Sequence, residues 1–98
     1  MVYKVIVEPE AQKEIEDAFE YYDKVTNDKK VLINFIADIE QAYKALKSNP
    51  FFQIRNKHYR ALPLKRYPYL LFFEIHEKER LVKIISLFNT PQDPKKWK

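Results

Sequence analysis

Tyr69-Leu70-Leu71-Phe72-Phe73-Glu74-Ile75 is almost wholly apolar and is bounded by Pro68 on one side and a charged run on the other. A short continuous apolar stretch rich in aromatic residues reads as a strand covered on both faces. Glu77-Lys78-Glu79-Arg80 then makes a charged turn, and Leu81-Val82-Lys83-Ile84-Ile85-Ser86-Leu87-Phe88 reads as a second strand returning along the first. This hairpin is the centre around which the rest of the chain has to be arranged.

Upstream, Pro63 and Pro68 bracket the basic connection Leu64-Lys65-Arg66-Tyr67. Phe52 to Lys57 and Tyr59 to Leu62 read as one further strand region. Before them lie two amphipathic helices. The first starts at Glu8-Pro9-Glu10, where proline and flanking acids mark a helix start. Its apolar residues Ala11, Ile15, Ala18, Phe19 and Tyr22 fall on one face. It ends near Lys24 or Val25, and Thr26-Asn27-Asp28 breaks the chain. The second runs from Asp28 to Ser48, about 31 Å long, with Leu32, Phe35, Ile36, Ile39, Tyr43 and Leu46 as its stripe. Asn49-Pro50 stops it. Val2 to Val7 reads as a strand and does not resemble a signal peptide. The order β-α-α-β-β-β predicts an α+β protein: a helical hairpin packed on one face of a largely antiparallel sheet, as a single domain over 1–98. The other face is expected to be only partly covered, and so available for a site.

Composition narrows the function. The chain has 98 residues, 46% hydrophobic and 15% aromatic, a folded composition. With no cysteine, disulfides, thiolate metal sites and cysteine nucleophiles are excluded. With no glycine, the phosphate-cradling loops of Walker and Rossmann type are excluded. No apolar run is long enough to cross a bilayer, and a cytoplasmic protein is expected. Residues 1–50 carry seven Lys/Arg and ten Asp/Glu, 7 − 10 = −3, whereas residues 51–98 carry eleven and four, 11 − 4 = +7. The basic half is a candidate surface for a nucleic acid or an acidic partner.

Arg55, Lys57, Arg60, Lys65 and Arg66 fall in twelve residues without an acid among them. Arginine suits phosphate because its fork binds two oxygens at once. Tyr59, Tyr67 and Tyr69 interleave with these cations and could stack on bases, although Tyr69 is also expected in the core. RNA cleavage by a 2′-hydroxyl needs a base, an acid and cations. The cations exist; the base is hard to find. His58 lies beside the patch and His76 at the charged turn, each more often structural than catalytic. Two histidines far apart make a poor metal site, and no metal or cofactor is expected. Glu10, Glu14, Asp17 and Glu20 recur at helical spacing and read as a solvated helix face.

Taken together, the strand, the helical hairpin ending in Asn49-Pro50 and the three strands resemble the RelE/ParE toxin superfamily. Arg60-Ala61-Leu62-Pro63-Leu64-Lys65-Arg66-Tyr67-Pro68-Tyr69, followed by the apolar strand, is similar to the family's arginine, basic residue and Tyr/Phe-Pro-Tyr stretch. Val82 to Trp97 is similar to its closing strand and tail. The ParE-like branch fits better than the ribosome-dependent nuclease branch. The resemblance implies the toxin of a type II toxin–antitoxin system, neutralised by a cognate antitoxin and directed at DNA gyrase. The alternatives it leaves are a ribosome-dependent mRNA endoribonuclease or a degenerate, non-toxic antitoxin-binding member. Under the nuclease reading Arg60, Lys65 and Arg66 would be catalytic. Under any target- or phosphate-binding reading Arg55, Lys57, Tyr67 and Asn89 join them. Many relatives carry a His and, two residues on, an Arg after the last strand; Asn89 and Pro91 stand there, which argues against carrying either role over. An antitoxin segment would lie on exposed apolar surface, with Phe51, Phe52, Trp97 and parts of the second helix as candidates. A homodimer or a toxin–antitoxin hetero-oligomer is compatible with either function.

Overall fold

The computed structural model describes residues 2–51 and 60–89. The order is β1 (Lys4–Val7), α1 (Pro9–Val25), α2 (Lys29–Ser48), β2 (Arg60–Pro63), β3 (Tyr69–His76) and β4 (Leu81–Asn89). This is the expected α+β order. The expectations for Phe52 to Tyr59 and for the tail beyond Asn89 lie outside the described residues; of the expected strand region, β2 is the described part.

The four strands form one mixed sheet in the order β1-β4-β3-β2. β2, β3 and β4 are antiparallel neighbours, while β1 pairs parallel to β4, Lys4 facing Leu81 and Val7 facing Ile84. The parallel edge follows from the connection. Two helices separate β1 from the hairpin, so β1 is free to return alongside β4 in either direction, whereas the short β3–β4 turn forces antiparallel pairing. At that turn Arg80 takes φ 52°, a left-handed position a glycine would hold more easily, in a chain that has none.

Both helices begin and end as their residues dictate. Pro9 opens α1, where its missing N–H costs nothing. Asp28 caps α2, its carboxylate accepting from the Lys30 amide at 2.9 Å. The apolar faces of the helices meet one face of the sheet. Ala11, Ile15, Ala18, Phe35, Ile39, Ala42 and Leu46 pack with Leu71, Phe73, Val82, Ile84 and Leu87 in one cluster. Ile36, placed in the apolar stripe of α2 by spacing, is instead 41% exposed. It lies toward the edge of that stripe, away from the sheet. On the other side of the sheet Phe88 is 49% exposed and pairs edge-on with Phe72, the rings 6.1 Å apart, so that face is only partly covered, as expected.

β4 does not keep strict alternation. Phe72 pairs with Ser86 and Phe73 with Ile84, so Ile85 is an extra residue, a β-bulge. The bulge lets Ile84 and Leu87, three apart, both face the helices. It also leaves the Leu87 amide off the ladder, and Glu14 of α1 takes it: Oε1 accepts from Leu87 N at 2.9 Å and from the Ser86 hydroxyl at 3.0 Å. Glu14 therefore departs from the solvated face expected for it, because a buried amide without a partner is costly. Glu10, Asp17 and Glu20 are exposed.

Candidate functional site

The basic connection after β2 is held down by one buried acid. Asp38 of α2, 2% exposed, sits between Phe35 and Ala42 on the inward face. Its Oδ2 accepts from the Arg66 backbone amide at 2.7 Å; its Oδ1 accepts from Arg66 Nε and Nη2, each at 2.9 Å. Arg66 thus turns Nε and Nη2 onto one carboxylate oxygen while its backbone amide takes the other, a charge-assisted contact, and its Nη2 also reaches the Asn34 carbonyl at 3.4 Å. The Tyr67 hydroxyl donates to the Val31 carbonyl at 2.7 Å. The Leu64 amide donates to Tyr69 O at 2.9 Å and closes the loop. Residues 64–68 are therefore fastened to α2 at two successive side chains.

Behind this loop lies an aromatic cluster. The ring of Phe35 is 5.6, 5.5 and 5.9 Å from those of Tyr22, Tyr67 and Tyr69, and Tyr22 is 5.2 Å from Tyr67. Tyr69 is buried as expected. At the cluster's outer edge is a cleft of about 560 Å³ lined by Glu14, Asp17, Ala18, Tyr21, Tyr22, Pro68, Tyr69, Leu87 and Asn89. Burial, followed by the neighbouring Tyr69, pushes the Tyr22 hydroxyl up to about 12, and burial raises Tyr43 and Tyr67 as well. These hydroxyls hold their protons more tightly than an ordinary tyrosine, the opposite of what a general base needs.

The structure sorts the sequence-derived residues into two places. Lys65, Arg66 and Tyr67 stand at the end of the sheet where β3 begins, and Asn89, paired with Tyr69, ends β4 at the same end. Lys65 and Asn89 are exposed; Arg66 shows 46% of its side chain to solvent beside its contact to Asp38. Arg60 is elsewhere. It opens β2 opposite Phe73, roughly 10 Å along the strand from Pro63, and its guanidinium lies over the exposed Phe51 ring at 5.4 Å. Arg55, Lys57, His58, Tyr59, Phe52 and Trp97 fall outside the described residues. His76 closes β3 beside Glu74 at 3.3 Å, at the opposite end of the strand from Tyr69. Among the described residues no three His, Asp or Glu side chains gather as metal ligands do, and no helix is long and apolar enough to cross a membrane.

Sequence reasoning missed Asp38, Glu14 in its bonded role, and Tyr22. Asp38 did leave a signal: it is an acid three residues after Phe35 and four before Ala42, inside the apolar stripe, where an ionisable group has to be partnered. Glu14 left none, since the bulge that calls for it arises only when the strands are in register.

Tyr22 gives a testable number. Neutral tyrosine is favoured in the folded state, so its contribution to stability is fully present below pH 10 and is lost as pH rises through about 12. Alkaline titration followed at 295 nm should show a late step near pH 12 that Tyr22→Phe removes. Simultaneous ionisation of every tyrosine near pH 10 would contradict the burial argument.

A family model described as "ParE toxin of type II toxin-antitoxin system, parDE" matches residues 5–94. The chain belongs to this ParE toxin family of type II toxin–antitoxin systems. Its fold is shared with the chromosomal ParDE toxin–antitoxin system from P. aeruginosa, with TM-score 0.74 and 16% identity over 91% of this chain and 97% of that one. It is also similar to the isolated E. coli RelE toxin, with TM-score 0.55 and 13% identity over 96% of this chain and 90% of that one. No curated protein sequence matches the chain.

Proposed function

We propose that this chain is a single-domain, cytoplasmic toxin that binds and blocks an essential target, DNA gyrase by family resemblance, and that a cognate antitoxin protein neutralises it. The observation that supports binding over hydrolysis is how the described polar groups at the loop end of the sheet are engaged. Arg66 grips Asp38, Tyr67 donates to a helix carbonyl, and the Tyr22 and Tyr67 hydroxyls are held protonated by burial. A ribonuclease needs a group there that gives up a proton near neutral pH. Target contact falls instead to the exposed cations Lys65 and Arg66, with Arg60, Tyr67 and Asn89 and, outside the described residues, Arg55 and Lys57.

The test is to induce the chain alone in a bacterium and pulse-label DNA and protein synthesis separately. DNA synthesis should fall first, and the purified chain should inhibit gyrase supercoiling. Cleavage of ribosome-bound mRNA with supercoiling untouched overturns this reading.

An endoribonuclease is the second reading, favoured by the clustering of Lys65 and Arg66 at the end of the sheet that carries Asn89. Arg60→Ala and Arg66→Ala test it, with Asp38→Ala as the control for displacement of the loop; mRNA cleavage unchanged by both arginine variants removes these residues from the chemistry. A degenerate member, motivated by Asn89 and Pro91, is excluded by growth arrest on induction.

A further inference from the structure

α2 buries Phe35, Asp38, Ile39, Ala42 and Leu46 against the sheet, which leaves its opposite face outward. That outward stripe is not polar throughout. Ile33 is 63% exposed and Ile36 41%, and they border a groove of about 420 Å³ shared with Phe19 and Leu32. Lys29 lies one turn before Ile33, and Glu40 one turn after Ile36. The stripe therefore reads basic, apolar, apolar, acidic, with spacings of four, three and four over about 16 Å of helix.

This order is self-complementary on reversal. We propose that the outward face of α2 pairs with the same face of a second copy of this chain across a two-fold axis, the helices antiparallel. The axis falls between Ile33 and Ile36. Ile33 of each copy then meets Ile36 of the other, and Lys29 of each meets Glu40 of the other, so every contact is made twice, as an isologous interface requires. A parallel arrangement would set Lys29 against Lys29 and Glu40 against Glu40. The patch is short compared with an obligate interface, so a dissociation constant of roughly 10–100 μM is expected. Pairing through this face is independent of the cellular target and is measured without reference to toxicity.

The experiment is sedimentation equilibrium of the full chain, made by cell-free synthesis, over a concentration series at low ionic strength. The chain should pass from monomer to dimer. Ile33→Asp puts a charge into the apolar centre and should weaken the dimer about a hundredfold. Glu40→Lys alone, or Lys29→Glu alone, places like charges at both symmetric contacts and should weaken it about tenfold. Mixing these two single variants restores opposite charges at both contacts, and a heterodimer of near wild-type strength should form. All three positions are exposed, and circular dichroism confirms that each variant is folded. A chain that stays monomeric throughout, a dimer indifferent to Ile33→Asp, or no recovery on mixing overturns the proposal. So does occupation of this face by a partner of another sequence while the chain alone remains monomeric.

Discussion

Arg66→Ala should destabilise the protein by about 3 kcal/mol, whatever it does to activity. The Asp38 carboxylate has no exposed side-chain area and meets Arg66 through Nε, Nη2 and the backbone amide. Removing the guanidinium leaves a buried charge with one donor where it had three. Breaking a buried pair by deleting one partner costs about 3–5 kcal/mol. The lower end applies because Arg66 is half in water and the backbone amide stays. Asp38→Ala should cost a similar amount, since it leaves three donors facing a small cavity. Arg66→Lys keeps the charge but loses the fork, so its cost should fall to about 1–2 kcal/mol. Urea unfolding of the three variants measures this; equal stabilities within about 0.5 kcal/mol would mean that the anchor contributes nothing.

The consequence reaches function. A loss of toxicity in Arg66→Ala reads as a lost target contact, yet it arises equally if the loop 64–68 has come away from α2 and carried Lys65 and Tyr67 with it. Asp38→Ala separates the cases, because Asp38 is buried and cannot touch a target. If both variants lose activity together, the acid and the arginine act by placing the loop. If Asp38→Ala remains active while folded and Arg66→Ala does not, the exposed side of the guanidinium is itself a contact.

Phe35→Ala should be strongly destabilising, about 3–5 kcal/mol. The ring is fully buried and meets three tyrosine rings within 6 Å, two of them edge-on. It joins α1, α2 and the start of β3. A domain of this size has about 5–15 kcal/mol to lose, so the variant should unfold with its midpoint lowered by roughly 15–30 °C. Phe35→Leu, which refills part of the space, should cost about 1–2 kcal/mol. Differential scanning calorimetry decides, and a shift below about 5 °C for Phe35→Ala would mean that the cluster collapses around the gap.

Much of this architecture is legible in the residues alone because it depends on local periodicity. Helical spacing in Ala11, Ile15, Ala18 and Phe35, Ile39, Leu46, the start at Pro9 and the stop at Pro50, and the apolar runs of β3 and β4 determine the elements and their order. The candidate cations Lys65, Arg66 and Arg60 were equally visible as residue types. Tertiary structure decided what those residues are for. It set β1 parallel on β4, placed the bulge at Ile85 and so brought Glu14 to Leu87. It turned Asp38 inward to meet Arg66 twenty-eight positions away. It also parted Arg60 from Lys65 and Arg66 by the length of β2. Periodicity reports which way a side chain faces. Partners distant in sequence are fixed only when the helices and the sheet close on one another, because a buried charge or amide takes whichever group then lies within reach.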